Sequence, residues 1–361
     1  MTPKERWLAA VRMERVDRLP FWPKIGGSYP RAQSAPFRDM DPNATIEWTG
    51  ADPHTYVGPP TRDVRKNTSM ETIKRNGVTQ RIYHTSHGSM EQTEGFDEGS
   101  QATHPMTFPV KTPADIPLMI EWYEDCRIEF HAEALAKAKA SAAEIGQGAV
   151  IGTGIGESPL MLWVEYLAGI ENAHYLLSDC TSEVEALFDA IHRSLIRRTQ
   201  LICEHSPADI FYMVENTSTT LISPEQYRRY CLRHLGEYAR IANTYGRAMV
   251  LHMCGHLKAL LPDLATLPVS AFEAFTSPTL GNTTLLDGRT GCPNTCLIGG
   301  TNAMLWLRPA NEIIAKIEED LSVLPHHRGI VVTSAGVMPP RCKPETIKAV
   351  CEWVKSYPLK N

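Results

Sequence analysis

Apolar positions fall into two textures along the chain. Up to about residue 145, Pro, Gly, Thr and His residues interrupt every periodicity, and only Thr79 to His84 alternates like a short hairpin strand. Beyond residue 145, short apolar runs alternate with longer segments whose apolar residues recur three and four apart. The runs at 148–152, 209–214, 271–275, 296–300 and 329–333 read as strands. So does Ala248-Met249-Val250-Leu251, which leads into His252-Met253-Cys254 and Gly255. Between them the spacing predicts helices from Pro159 to Tyr175, from Ser182 to about His205, and from the cap-like Ser223-Pro224-Glu225-Gln226. Further helices are expected over Leu257 to Leu264, Ala310 to Leu321 and Pro344 to Lys355.

Six strand–helix units in succession indicate a parallel sheet. Two more strands from the irregular first third would close a (β/α)8 TIM-type barrel, a single α/β domain spanning 1–361. The alternative is a doubly wound open sheet. Gly152-Thr153-Gly154-Ile155-Gly156 lacks the glycine spacing of a dinucleotide-binding turn, which counts against that alternative.

Composition narrows the function classes. A formal charge of −5 over 361 residues argues against a nucleic-acid or anionic-membrane surface. No apolar run reaches the length of a membrane span, and Met1-Thr2-Pro3-Lys4-Glu5-Arg6 lacks a secretory apolar region. Nine cysteines without small-domain spacing point to a reducing, cytoplasmic setting. Cys292 and Cys296 form one C-x3-C pair with no second pair near it, and read as loop and strand thiols.

In a barrel, chemistry collects at the C-terminal ends of the strands. Those ends carry Glu157, then Glu215 and Asn216, then His252 and Cys254, then Glu273, then Gly299 to Asn302, and finally Ser334-Ala335-Gly336. Strand residues two apart share a face, so the His252 imidazole and the Cys254 thiol project together, a pair suited to zinc. The ordinary reading of each is a buried core residue, and each carboxylate alone is as well explained as a cap or a solvated loop group. Their convergence on one rim is what raises the functional reading. Trp22, Tyr29, Phe211, Tyr212, Phe272, Phe275 and Trp306 are candidates for an apolar pocket.

Several segments carry a family resemblance: Thr2-Pro3-Lys4-Glu5-Arg6, Val16 to Trp22, Leu251-His252-Met253-Cys254-Gly255-His256, Leu297 to Gly300, and Pro339-Pro340 with Pro344 to Ile347. Together they resemble the uroporphyrinogen decarboxylase superfamily over nearly the whole chain, most weakly between 31 and 110. The resemblance implies a TIM-type barrel and two functional branches: porphyrinogen decarboxylases, and zinc-dependent methyltransferases that exchange methyl groups with a corrinoid protein. The decarboxylases carry two arginines just after the N-terminal Pro-x-Trp, where this chain has Pro23-Lys24-Ile25-Gly26-Gly27-Ser28-Tyr29-Pro30 and neither arginine. The His-x-Cys-Gly of the methyltransferase branch is intact.

The resemblance therefore implies His252 and Cys254 as zinc ligands and a corrinoid, carried by a partner protein, as methyl carrier. The other methyl partner is a small O- or N-methyl compound, tetrahydrofolate or a thiol, and the assembly extends to a second copy of the chain. The Cys that the branch supplies near Gly336 is missing. Cys342, Glu273 and Glu215 are the candidates to complete the site, with Glu273 and Glu215 the expected catalytic carboxylates. A metal-free decarboxylase acting on a smaller acid and a non-catalytic member of the fold are the competing expectations.

Overall fold

The computed structural model describes residues 1–26, 29–98 and 102–360. Eight parallel strands follow one another in chain order: β1 (Phe21–Trp22), β2 (His54–Tyr56), β3 (Val150–Gly156), β4 (Ile210–Val214), β5 (Ala248–His252), β6 (Ala271–Phe275), β7 (Cys296–Gly299) and β8 (Ile330–Thr333). β1 returns to pair with β8, so the sheet curls into a barrel with one seam, between β1 and β2. Asp52 bridges that seam. Its backbone N–H donates to the Phe21 carbonyl at 2.8 Å, and its fully buried carboxylate accepts from the Phe21 N–H at 3.1 Å. Arg6 and Arg18 neutralise that carboxylate at 2.5 and 2.7 Å. The irregular first third thus supplies the two missing strands.

Alternation along each strand sorts side chains into two layers. Val150, Ile210, Val250, Ala271, Cys296, Ile298 and Val331 point inward and pack beneath Trp7 and Trp22. Phe211, Met213, Met249, Leu251, Phe272, Leu297 and Val332 point outward against the helices. Trp7 belongs to the N-terminal helix Pro3–Val11, which opens with a Thr2–Glu5 capping box. Its indole N–H reaches the Asp52 carbonyl at 3.2 Å. The inward positions nearest the C-terminal ends of β5 and β6 are His252 and Glu273, which sit side by side in register.

Three expected helices are interrupted, the one opening at Ser223 by a π turn at Arg228–Leu232 between Pro224–Tyr227 and Arg233–Thr244. The segment from Pro159 to Tyr175 runs as Pro159–Leu162, a wide π turn at Trp163–Leu167, and Ile170–Asp179. Gly169 marks the break with φ +78°, and a Cβ there would lie 2.5 Å from the Phe108 ring. Leu257 to Leu264 is likewise a 3-10 turn, Lys258–Leu260, followed by Leu261–Leu264. The larger difference lies between β2 and β3. Four antiparallel strands, Ser69–Arg75, Val78–His84, Ser89–Asp97 and Ala102–Thr107, form a second sheet. Only its second strand was legible, because most positions on both faces are at least partly exposed and the apolar alternation is weak. Among the described residues no helix is long and apolar enough to cross a membrane.

Candidate active site at the barrel mouth

The His-Met-Cys-Gly segment is shaped by its neighbours. A Cβ on Gly255 would lie 2.2 Å from the Ser218 side chain, so only glycine lets the loop after β5 pack against the loop after β4. Those loops are then joined by His256 N–H to Ser218 Oγ at 3.0 Å and Thr219 N–H to the His256 carbonyl at 3.0 Å. The Glu215 and Asn216 N–H groups both donate to the His252 carbonyl at 3.0 Å. This arrangement sets Asn216 beside the exposed thiol of Cys254, with Sγ 3.5 Å from Asn216 Oδ1. The Asn216 amide in turn donates to Glu165 at 2.8 Å.

His252 is held from the other side. Its Nδ1 contacts Glu273, whose second oxygen accepts from Lys24 Nζ at 2.7 Å. The side chains of Lys24 and Glu273 are only 12% and 2% exposed, so this pair is nearly out of water. Burial favours a neutral Glu273, but the charges of Lys24 and His252 outweigh it and keep the carboxylate ionised. Burial likewise works against a charged His252, and Glu273 reverses the sign, raising the imidazole above its ordinary value.

Facing this pair is a carboxylate group in a different electrostatic state. Burial, then the charges of Glu165 and Glu215, push Glu157 up to about 9. Burial pushes Glu165 up to about 7 despite the Asn216 hydrogen bond. Glu157 Oε2 and Glu165 Oε1 are both buried without a hydrogen-bond partner, which is costly unless a proton or a cation is held there. Glu215, fully buried and raised to about 7 by burial, accepts from Ser158 N–H at 2.6 Å and Ser158 Oγ at 2.5 Å. It ties the loop that carries Glu157 to the end of β4.

Backbone strain gathers at the same rim. Lys24, Asn216, Ala274 and Ala335 adopt φ of +43° to +57° at or just beyond strand ends. For non-glycine residues this costs on the order of 1–2 kcal/mol each and persists where surrounding structure enforces it. A Cβ on Gly154, or on Gly336, would meet nothing within 4 Å, so the mouth is open at both positions.

The placement of the other expected residues is mixed. Cys342 is buried in the outer core, its thiol 3.8 Å from the Lys343 carbonyl, and is not brought to the cluster. Thr301, Asn302 and Ser334 tie loops together: Thr301 Oγ1 donates to the Thr333 carbonyl at 2.6 Å, Asn302 to the Pro278 carbonyl at 2.7 Å, and Ser334 Oγ to the Pro23 carbonyl at 3.0 Å. The seven aromatics proposed as pocket lining are all core, at most 5% exposed. Gly27 and Ser28, in the segment that lacks the arginines, lie outside the described residues. Sequence reasoning missed Lys24 and Glu165 as site residues. Lys24 reaches the site only through its turn after β1, and Glu165 through the π turn, a feature that recurs at functional sites.

A parallel barrel closed but for one seam, with strained strand ends and a convergent His, Cys, Lys and four carboxylates at its C-terminal mouth, defines a TIM-barrel protein with an enzyme-like site. Residues 96–357 match the family model described as uroporphyrinogen decarboxylase (URO-D), and the chain belongs to that family. Among solved structures, it is similar over 98% of both chains to a methyltransferase from Methanosarcina mazei, at 18% identity and a TM-score of 0.63, which shows a shared fold. A candidate vitamin-B12-independent methionine synthase from Listeria monocytogenes matches 63% of this chain and 69% of its own, at 14% identity and a TM-score of 0.41. No curated protein matches the chain.

Proposed function

We propose that this protein is a cytoplasmic methyltransferase, zinc- and corrinoid-dependent, that moves a methyl group between a corrinoid protein and a small methyl donor or acceptor. The carrying observation is the joint placement of His252 and Cys254 over an open barrel mouth, opposite two buried carboxylate oxygens that lack partners. The donor set suits zinc. A His whose Nδ1 is engaged by a carboxylate keeps its other nitrogen for a metal, the usual arrangement around ligating histidines. Cys254 is exposed and supplies a thiol.

Among the described residues no three His, Cys, Asp or Glu side chains already stand close enough to hold an ion. The third ligand therefore requires a carboxylate to turn, and Glu165, which shares Asn216 with Cys254, is the residue positioned to do so. Bound zinc supplies a Lewis acid for methyl transfer. Lys24 and Glu273 fix the imidazole, Asn216 orients Cys254 and Glu165, and Glu215 anchors the Glu157 loop. In this reading Glu273 and Glu215 act by positioning, and Cys342 stays outside the site.

Elemental analysis of purified protein should give close to one zinc per chain. Cys254→Ser and His252→Ala should lose it while keeping a folded circular dichroism spectrum, because a Ser hydroxyl is far harder to deprotonate than a thiol. Glu165→Gln should lower zinc occupancy and Cys342→Ser should not. Absence of zinc in both native and zinc-reconstituted protein overturns the proposal.

A further inference from the structure

Next to the barrel mouth, a cavity of about 430 Å3 lies between the antiparallel sheet and the long helix Thr181–His205. That volume is ordinary for a small-molecule site, which typically measures roughly 300–1,000 Å3. Glu157 is among the lining residues, so the cavity adjoins the carboxylate cluster. The wall also holds three guanidinium groups, those of Arg65, Arg81 and Arg198.

Their partners leave them under-neutralised. Arg198 is paired with Asp63 at 2.6 Å, yet its Nε is buried without a partner. Arg81 is paired with Glu94, an acceptor that also serves Gln92 at 3.1 Å. Arg65 has no carboxylate partner among the described residues. It lies 3.6 Å over the Trp122 ring and donates to the Trp122 carbonyl. Of the residues that line the cavity, only Asp63 and Glu157 carry carboxyl groups, and burial pushes Glu157 up to about 9. Trp122, Leu162, Leu167, Ile191 and Leu195 give the remaining wall an apolar part, beside the polar groups of Gln92, Ser194, Tyr83 and Tyr123.

Planar guanidinium forks match carboxylates, and the apolar part of the wall suits a carbon skeleton rather than a bare inorganic anion. We propose that this cavity binds a small organic carboxylate with an apolar body, its carboxylate held by Arg65, Arg81 and Arg198 and its far end directed toward Glu157. The inference deepens the proposed function by naming a ligand class at the same mouth, and rests on that reading only for what happens to the ligand.

Isothermal titration of the full chain with benzoate tests it, with benzyl alcohol as neutral analogue and inorganic phosphate as bare anion. Benzoate should bind saturably at one site, and both comparison compounds at least tenfold more weakly. Arg65→Gln and Arg198→Gln should each weaken benzoate at least tenfold, as expected for the loss of a charge-assisted contact, whereas the exposed Arg308→Gln leaves it unchanged. Should those variants misfold, benzoate must protect Arg65 and Arg198 of the unmutated protein from phenylglyoxal, read by peptide mass spectrometry. No saturable benzoate binding, equal binding of phosphate, insensitivity to the substitutions, or absence of protection overturns the proposal. The titration needs neither zinc nor corrinoid. Protein that binds benzoate but never holds zinc therefore fails the methyltransferase reading alone, and zinc-loaded protein blind to benzoate fails this one alone.

Discussion

Replacing Lys24 with methionine removes the counter-charge of a carboxylate with 2% of its side chain exposed. At the observed 2.7 Å and an effective dielectric near 20, the pair attracts by roughly 6 kcal/mol. Desolvation offsets much of this, and deleting one partner of such a buried pair costs about 3–5 kcal/mol, because a charge is left without compensation. His252 remains on the other oxygen of Glu273, so the lower end of that range is expected. The double variant Lys24→Met with Glu273→Gln removes both charges while keeping similar shapes. It should recover most of the loss, within about 1 kcal/mol of wild type.

Urea denaturation of metal-free protein at pH 7 measures each corner of this cycle. The pH dependence has a definite sign. Glu273 is depressed in the folded state, so its contribution is present above the unfolded carboxylate value of about 4.3 and is lost as pH falls through the folded value. The penalty of Lys24→Met should therefore shrink as pH is lowered toward 3. A single variant within about 0.5 kcal/mol of wild type at pH 7, or a double variant whose loss equals the sum of the singles, would refute the reasoning.

Glu157 is perturbed in the opposite sense. Its folded value is raised to about 9, so its stabilising proton is fully present below the unfolded value of about 4.3 and is lost as pH rises toward 9. Metal-free Glu157→Gln should melt close to wild type at pH 5 and above it at pH 9, by the equivalent of ~2 kcal/mol or more; equal melting temperatures at pH 9 count against a buried, unpartnered carboxyl. Asp52→Asn removes the charge that meets both Arg6 and Arg18 at the barrel seam, and should cost about 3–5 kcal/mol in urea denaturation. A loss under about 1 kcal/mol would mean that the seam is held by the backbone alone. Uroporphyrinogen should not be converted to coproporphyrinogen, since the segment that would carry two gripping arginines instead holds Lys24, whose ammonium is committed to Glu273. Turnover in a direct assay would show that other residues grip the tetrapyrrole.

By itself the sequence determined the barrel and the core of its mouth. Strand periodicity marked all six strands from β3 to β8, because residues buried on both faces of a parallel sheet must be apolar in short uninterrupted runs. The apolar run before His252 marked the end of β5, so that the sequence put His252 at the strand end and Cys254 in the loop just beyond it, a consequence of local chain order. The tertiary structure alone decided which distant groups join them. Lys24 lies 249 residues from Glu273, and no local pattern announces that a turn after β1 aims its ammonium at the end of β6. Glu165 depended on a π turn, and the burial of Cys342, the thiol nearest the missing Cys at Gly336, is likewise a matter of packing. Of the antiparallel sheet only the strand at Thr79 to His84 was legible, because its exposed faces carry no strong apolar alternation, and the packing that brings Arg81 of that sheet beside Arg65 and Arg198 exists only once the chain has folded.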